Sequence, residues 1–341
     1  MCRLKSGIIL KNRVFVPEYD SHTEMLEELG IKDDYLNASK TFVRVELSPA
    51  NGDAFSDIDT WVLDVDQDIT PEWYDEDTYK PQVVEAVKEW AKDHVHVGID
   101  NLKISAGKNH YIKDCNDVQI CGSATVKNIC GSATVKNICD SATVKNIYDF
   151  ATVENIYDFA TVENIYDFAT VKNICDFATV KNICDSATVE NIYGSATVKY
   201  ICDSATVEYI CDSATVENIY GSATVKNICD SATVENIYGS ATVKNICGSA
   251  TVKNICDFAT VKNICDSATV KYICDSATVE NAKGTSVIIG SQYGWNKKET
   301  LVLAESATFK DCETKTIYQS GNWKLANVSE QNGVIRKGKT N

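Results

Sequence analysis

The side chains of this chain that could carry metal chemistry form two small groups. Asp64, Asp66 and Asp68 alternate along one segment, and carboxylate oxygens are the ligands that Ca²⁺ and Mg²⁺ prefer. His94 and His96 flank a single valine, and this spacing predicts two imidazoles on one face of a strand. A zinc site needs a third and usually a fourth ligand, and no other histidine has a spacing that identifies it as one. These five residues are the candidate metal ligands, and we expect them to be surface or structural residues.

The acidic group resembles the opening of an EF-hand loop, with Asp75 at the twelfth place. Ile69 occupies the position of the glycine that such a loop needs for its sharp turn, and the bidentate glutamate is absent. Glu72 is a further candidate ligand for Mg²⁺, but no glycine-rich phosphate loop accompanies it. The sequence therefore predicts no cofactor, and the aspartates are expected to line the solvent face of a strand.

The chain contains 15 cysteines, twelve of them in the repeat described below. Removal of Met1 would make Cys2 the N-terminal residue, where a thiol can use its own amine as base, but no other feature of such an enzyme is present. The odd total and the lack of an export signal predict reduced thiols in a cytosol. Metal binding by a column of cysteines is disfavoured because no Cys-x-x-Cys spacing occurs.

A tandem nonapeptide repeat over 121–282 dominates the chain and must determine how any of these groups is positioned. The array contains 18 copies of the type Cys-Asp-Ser-Ala-Thr-Val-Lys-Asn-Ile. Ala, Thr and Val never vary, whereas Cys alternates with Tyr, Asp with Gly, Ser with Phe, Lys with Glu and Asn with Tyr. Single nucleotide changes account for these exchanges, which indicates recent duplication followed by drift.

Each copy predicts one short strand followed by one bend. Thr, Val and Ile favour strands, and Asp or Gly at the second place tolerates the positive φ of a tight turn. Ala124 and Val126 then share one face, and Ile129 points the same way only if the backbone turns near Asn128. Strands of this kind bury their apolar side chains by stacking, which predicts a mainly β fold, a parallel β-solenoid.

Two coil sizes fit the period. Two copies per coil give nine coils and a length of about 43 Å, and three copies give six coils and about 29 Å. We favour two copies because alanine and valine suit a thin core. Stacking also predicts an asparagine ladder along the faces, while the twelve Asp of the bends need backbone amides or cations to satisfy them.

The array resembles tandem nonapeptides of the form Tyr/Cys-Asp/Gly-Ser/Asn-Ala-Thr-Val in uncharacterised proteins of bacteria and phages. The residues that carry the resemblance include the six from Tyr220 to Val225, and the match covers about half of the chain. The resemblance implies a microbial or phage origin and a β-solenoid, and it implies no activity. The calcium-binding nonapeptide roll has the same period, but its Gly-Gly and Gly-x-Asp elements are missing here.

The two ends differ in composition from the array. Residues 1–105 predict an acidic α+β head domain, with a hairpin over 7–16, a capped helix starting after Ser21, strands over 42–47 and 61–65, and a helix that starts at Pro81. Residues 106–120 predict an irregular coil that leads into the array. Residues 283–341 predict a divergent β cap and a short basic tail, in which 306–310 is similar to the repeat.

The net charge of −15 disfavours direct binding of nucleic acid, and no apolar run is long enough to span a membrane. We expect a non-enzymatic structural or binding protein, a rigid rod with an acidic head, located in the cytoplasm or, if phage-encoded, in a virion. Its expected partner is a protein, with self-association end to end or side by side as a further expectation. An acidic DNA-mimic inhibitor of a nucleic-acid-handling protein, and a metal-dependent enzyme in the head domain, are the alternatives.

Overall fold

The fold is described from a computed structural model, which covers residues 4–290, 302–303, 307–311 and 316–319. The chain is mainly β, with a parallel β-solenoid and a small N-terminal α+β head domain. The fold class expected from the nonapeptide is therefore confirmed. Cys2, the segment 320–324 and the basic tail 336–339 lie outside the described residues.

The head domain is an antiparallel sheet covered by helices. Its strands run in the order β2-β1-β3-β4 across the sheet. Its described elements are β1 (Lys5–Leu10), β2 (Arg13–Phe15), α1 (His22–Glu28), α2 (Tyr35–Ala38), β3 (Phe42–Ser48), the 3₁₀-helix η1 (Ile58–Thr60), β4 (Val62–Val65) and α3 (Glu76–His94). The predicted hairpin is present, since Leu10 pairs with Arg13 across a two-residue turn. The predicted cap is also present, because Ser21 accepts a hydrogen bond from the backbone N–H of Glu24.

The long helix starts five residues earlier than the sequence predicted. Asp75 caps it by accepting a hydrogen bond from the backbone N–H of Thr78, and two further acidic residues follow in the first turn. A capping side chain satisfies a free backbone N–H group at the N-terminus of a helix. Negative charges in the first turn also interact favourably with the positive end of the helix dipole. Pro81 lies inside the helix rather than at its start, so the prediction that it begins there was wrong. The apolar stripe was predicted correctly, and Val83, Val87 and Trp90 are buried.

The solenoid is built from two facing parallel sheets, which we call the odd and even sheets after the strand numbers. Its first four strands are β5 (Val95–Val97), β6 (Lys103–Ile104), β7 (His110–Lys113) and β8 (Val118–Ile120). The nonapeptides form β9 (Thr125–Cys130), β10 (Thr134–Ile138), β11 (Thr143–Ile147), β12 (Thr152–Ile156), β13 (Thr161–Ile165), β14 (Thr170–Ile174), β15 (Thr179–Ile183), β16 (Thr188–Ile192), β17 (Thr197–Ile201), β18 (Thr206–Ile210), β19 (Thr215–Ile219), β20 (Thr224–Ile228), β21 (Thr233–Ile237), β22 (Thr242–Ile246), β23 (Thr251–Ile255), β24 (Thr260–Ile264), β25 (Thr269–Ile273) and β26 (Thr278–Ala282). The last described strands are β27 (Val287–Gly290), β28 (Val302–Leu303), β29 (Thr308–Asp311) and β30 (Thr316–Gln319).

Each coil contains two nonapeptides. Thr125 pairs with Thr143 and Ile129 with Ile147, so partners in the odd sheet are 18 residues apart, and the even sheet has the same register. The two-copy coil that we favoured is therefore correct. Strand pairing starts at Val95–Val97, within the segment that the sequence analysis placed in the head domain.

The repeat folds this way because three of its nine side chains fill the space between the sheets. The Ala, Val and Ile of the copies are buried along the whole array. In a typical strand such as β11, the lysine and the asparagine between Val144 and Ile147 both face outward. This pair of consecutive outward residues is the backbone irregularity that the three-residue spacing of Val and Ile required.

The bends explain why only Asp and Gly occupy the second place. All twelve Asp and all six Gly at this place of the array have a positive φ, as at Asp140 (56°) and Gly122 (63°). An L-residue with a Cβ is strained in this region, and Asp tolerates it better than most because its side chain can bond locally. The Asp/Gly exchange therefore follows the backbone, while other exchanges follow the surface.

The C-terminal strands end the parallel stacking. Strand β29, formed by the segment similar to the repeat, pairs in parallel with β27, and β30 pairs antiparallel with β29. Among the described strands of the odd sheet, β30 is the last in the order and pairs antiparallel, unlike the strands of the coils before it. This arrangement agrees with the divergent β cap that the sequence predicted.

Candidate functional site: the head groove and the rod surface

A polar groove opens in the head domain beside the end of β4. Its volume is about 760 Å³. The groove is lined by Asp33, Asp34, Tyr35, Ala38, Arg44, Val65, Asp66, Gln67, Asp68 and Ile69. Gln67 fixes its floor by accepting a hydrogen bond from the backbone N–H of Arg44 at 2.9 Å and donating one to the carbonyl of Ile69 at 2.6 Å. The Arg44 guanidinium also forms an ion pair with Asp33, so the groove contains both signs of charge.

The three candidate aspartates occupy different environments around this groove. Asp64 lies on β4 opposite Glu46, Asp66 accepts a hydrogen bond from the ring of His22 at 3.1 Å, and Asp68 lines the groove. The EF-hand arrangement does not form, because Asp75 serves as the cap of α3. The sequence did not identify His22 as a neighbour of Asp66, since 44 residues separate them.

The two candidate histidines lie at the junction between α3 and the first coil. His94 is the last residue of α3 rather than a strand residue, and its Nδ1 lies 2.8 Å from the carbonyl oxygen of Trp90. His96 lies on β5, where its Nε2 is 3.2 Å from Nδ1 of His110. His94 also stacks on His110 with ring centroids 5.2 Å apart. The junction therefore joins three buried histidines, and the aspartates belong to the groove instead.

Burial makes protonation of His96 and His110 unfavourable. Desolvation, followed by the proximity of His110 and His94, lowers the pKa of His96 to about 4. Desolvation also lowers the pKa of His110, whose Nε2 lies 3.1 Å from the carbonyl oxygen of Ala106. The rings of His96 and His110 can pack against each other when neutral, whereas two charged rings would repel each other.

The head domain is fastened to the solenoid by apolar and polar contacts. Tyr111 on β7 belongs to the same buried cluster as Trp90 and the β3 side chains of the head. Asn109 donates hydrogen bonds to the carbonyl of Glu18 at 2.9 Å and to the carboxylate of Asp20 at 3.0 Å. Lys5 is buried beside them and donates to Asp20 at 2.6 Å, and burial is the main reason why its pKa is lowered. The head is thus packed against the first coils.

The first residues of the repeats form two corner columns, one before the odd strands and one before the even strands. In these columns, Cys256 and Cys274 are joined by a disulfide with Cα atoms 4.7 Å apart, so the expectation of reduced thiols fails for this pair. Stacking in register brings cysteines of adjacent coils within disulfide range wherever two follow each other. The other eleven described cysteines remain thiols. Desolvation raises the pKa of several of them, to about 12 for Cys184, which keeps these thiols protonated at neutral pH.

Eight of the twelve bend aspartates accept a hydrogen bond from a backbone amide of the coil before them. Asp140 accepts a hydrogen bond from the N–H of Gly122 at 2.9 Å, and Asp149 accepts one from Gly131 at 3.1 Å. Backbone amides and cations were the two partners expected for these carboxylates, and the described contacts favour the amides.

Two asparagine ladders run up the faces, as expected. Each step is a hydrogen bond from the side-chain amide of one Asn to the amide oxygen of the Asn 18 residues before it, at 2.7–3.3 Å. Tyr200 and Tyr272 interrupt the ladder on the odd sheet, and Tyr209 interrupts the ladder on the even sheet. The ladders hold adjacent coils in register on both faces.

No family model, curated protein or solved structure matches this chain. The candidate surfaces therefore rest on their own geometry.

Within the described residues, no helix combines the length and the apolar character that crossing a membrane requires.

Proposed function

We propose that the protein is a non-enzymatic scaffold, a rigid β-solenoid rod that carries a binding head at its N-terminal end. The observation that carries this proposal is the constant register of the array, in which Thr, Val and Ile pair with the same residue of the next copy in coil after coil. A fold of this kind changes length by whole coils without any change in its core.

The attachment of the head supports the same proposal. A head that moved freely on a linker would not need a rigid rod. Here α3 continues into β5 with no intervening loop, and Tyr111 and Asn109 tie the first coils to the head. A partner bound at the groove would be held at a fixed distance from the far end of the rod.

The proposal includes several further expectations. The partner is a protein, the origin is bacterial or phage, and the location is the cytoplasm or a virion. These expectations rest on the acidic head, on the resemblance of the nonapeptide and on the thiols of the array.

The two alternatives have less support from the geometry. A DNA mimic needs continuous rows of exposed acids, but the corner aspartates bind backbone amides and the seventh place of the repeat carries 11 Lys against 7 Glu. A metal-dependent enzyme in the head would need the Asp and His groups to converge, and their contacts lie in different parts of the head.

The test compares three lengths of the rod. A variant without 175–210 lacks two coils and stays in phase, and a second variant carries that segment twice. Small-angle scattering should show the longest dimension changing by about 10 Å in each direction, since one coil adds about 4.8 Å. A protein partner, identified by cross-linking in the native host and then purified, should bind all three lengths with dissociation constants within about twofold of one another, since distant sites act independently.

Substitution of Arg44 by Ala supplies the binding control, because it removes the cation of the groove. This variant should bind the partner more weakly at every rod length. Loss of binding in a folded variant with fewer or more coils would contradict the spacer role. Turnover of any compound that disappears in Asp66→Ala would contradict the non-enzymatic role.

A further inference from the structure

One corner column contains a run of cysteines that the scaffold role does not explain. In the column before the odd strands, Cys211, Cys229, Cys247 and Cys265 follow each other in four successive coils. Each is half-buried, so solvent reaches it. Elsewhere in the same column Cys175 lies between Tyr157 and Tyr193, so single thiols also occur there.

The run brings donor atoms together in sets of three. The sulfurs of Cys211 and Cys229 and a carboxylate oxygen of Asp230 lie within 4.8 Å of one another. The sulfurs of Cys247 and Cys265 form an equivalent set with Asp266. We call these two sets the lower and the upper triad.

The spacing of these donor atoms is compatible with a single thiophilic metal ion. A zinc–sulfur bond is about 2.3 Å long, so two sulfurs on one tetrahedral ion lie about 3.8 Å apart, a distance inside the 4.8 Å limit of each triad. The disulfide between Cys256 and Cys274 indicates that stacked thiols can approach even more closely in this register. Thiolates select soft ions, whereas the carboxylate alone would take hard ones.

The carboxylates retain capacity for an ion although they bind backbone amides. Asp266 accepts the N–H of Gly248 at 3.0 Å, and Asp230 accepts that of Asp212 at 3.4 Å. Each bond uses one oxygen, and an ionised carboxylate has two. The amide bonds also fix the orientation of the carboxylate beside the thiols, as outer contacts do for metal ligands.

We propose that the lower and upper triads each bind one thiophilic d¹⁰ cation of the Zn²⁺ or Cd²⁺ type. On binding, two S–H bonds break, two metal–sulfur bonds form and two protons pass to the buffer. The carboxylate supplies the third ligand and water the fourth. The absence of a Cys-x-x-Cys spacing predicted no such site, but ligands of a solenoid recur at the coil period of 18 residues.

The test measures the binding of Cd²⁺ to the full chain after reduction with a phosphine and removal of the reductant. The absorbance of the sulfur-to-cadmium charge transfer and equilibrium dialysis give the number of ions bound. The double variant Cys229→Tyr, Cys247→Tyr removes one sulfur from each triad. Tyrosine is chosen because the array carries it at this place, and Tyr220 and Tyr238 stack in the other column with centroids 5.2 Å apart.

The double variant should bind two fewer Cd²⁺ ions than the parent chain, with a matching loss of charge-transfer absorbance. The matched control Cys175→Tyr changes a thiol of the same column that lies between two tyrosines, and it should bind as many ions as the parent chain. Equal binding by the double variant and the parent would overturn the proposal.

A second double variant tests the same two triads in case the cysteine variant does not fold. Asp230→Asn with Asp266→Asn keeps a side chain that tolerates positive φ and accepts the backbone bond. It replaces a charged ligand by a neutral amide, and the affinity for Cd²⁺ at the two triads should fall about tenfold or more. Unchanged affinity in this variant would count against the triads as the binding sites.

Discussion

Asp257 accepts a hydrogen bond from the backbone N–H of Gly239 at 3.0 Å, while its own N–H donates to Asp275 at 3.4 Å. The same difference recurs at the corners, where bonds from Gly span 2.9–3.2 Å and bonds from Asp span 3.3–3.4 Å. Two carboxylates in successive coils repel each other, which accounts for the longer bonds. Glycines in the column relieve this repulsion without a change in the backbone.

The backbone of the bend predicts an order of stability for substitutions of Asp257. Its φ is 56°, a region in which alanine is strained and glycine is not. Asp257→Ala should therefore lower the free energy of unfolding by about 1–2 kcal/mol more than Asp257→Gly does. Denaturant titration measures both. Equal losses, or a larger loss for glycine, would show that the side-chain bond matters more than the backbone conformation.

The asparagine ladder predicts that a central residue contributes more than a terminal one. Asn164 donates to Asn146 and accepts from Asn182, whereas Asn182 takes part in one ladder bond because Tyr200 follows it. Asn164→Ala should lower the free energy of unfolding by about 2 kcal/mol, and Asn182→Ala by about half as much, since each bond is worth about 1 kcal/mol. Denaturant unfolding of the two variants provides the comparison. If the two losses are equal, the bonds do not act as a ladder.

The histidine cluster predicts loss of stability in acid. The pKa of His96 is lowered from 6.5 to about 4 in the folded chain, so the unfolded state binds the proton first as the pH falls. Protonation of His96 therefore has no effect on the free energy of unfolding above pH 6.5, and it lowers this free energy progressively as the pH falls from 6.5 towards 4. The total loss is about 3 kcal/mol, since one pKa unit corresponds to about 1.4 kcal/mol. The groups that act on His96 are His94, His110 and Asp93. Unfolding curves at several pH values should show this loss.

Two substitutions separate the cluster from the other titrating groups. His96→Gln should flatten the pH dependence between 6.5 and 4. His22→Gln is the matched control for the removal of a histidine, because that ring contacts Asp66 and lies outside the cluster. A parent-like slope in His96→Gln would remove His96 as the cause.

Exposed phenylalanines predict self-association at one part of the rod. Phe150 stacks on Phe168, and Phe159 on Phe177, with all four side chains at least 60% exposed. Serine occupies this place in most copies, so changing all four to Ser should leave the thermal midpoint nearly unchanged while weakening concentration-dependent association. Sedimentation measures the association, and the isolated Phe258→Ser is the control. Equal association of the fourfold variant and the parent would exclude these residues as the contact.

The structure of the repeat could be predicted from the sequence because the residue types at most places of the nonapeptide indicate whether that place is buried, exposed or in the bend. Ala124, Val126 and Ile129 determine which face is buried, and Asp or Gly marks the bend. The variation of Cys and Tyr along the array does not distinguish two copies per coil from three. The prediction of two copies depended on the small side chains of the core. Where the same residue types recur in every copy, local interactions determine the conformation of one copy, and each stacked copy adopts the same conformation.

The parts that the sequence did not predict depend on contacts between distant residues. His110 joins His96 only because β5 and β7 pair, and the disulfide joins Cys256 to Cys274 only because they occupy successive coils of one column. The start of α3 was missed because Pro81 was given more weight than the capping side chain of Asp75. The sequence therefore identified some residues of each candidate site but not the distant residues that contact them.

Two of the three tyrosines that interrupt the ladders lie in the same coil, since Tyr200 and Tyr209 belong to successive repeats. At that height neither face has an Asn–Asn side-chain bond, and the side-chain links to the next coil are of other kinds: Asn227 donates to the carbonyl of Glu208 at 3.4 Å, and Lys226 forms an ion pair with Glu208. A pulling force along the axis should therefore meet fewer amide–amide bonds at this coil than in the laddered coils on either side of it. The array thus consists of laddered segments joined by a coil whose cohesion depends on an ion pair, and high salt should weaken that coil selectively.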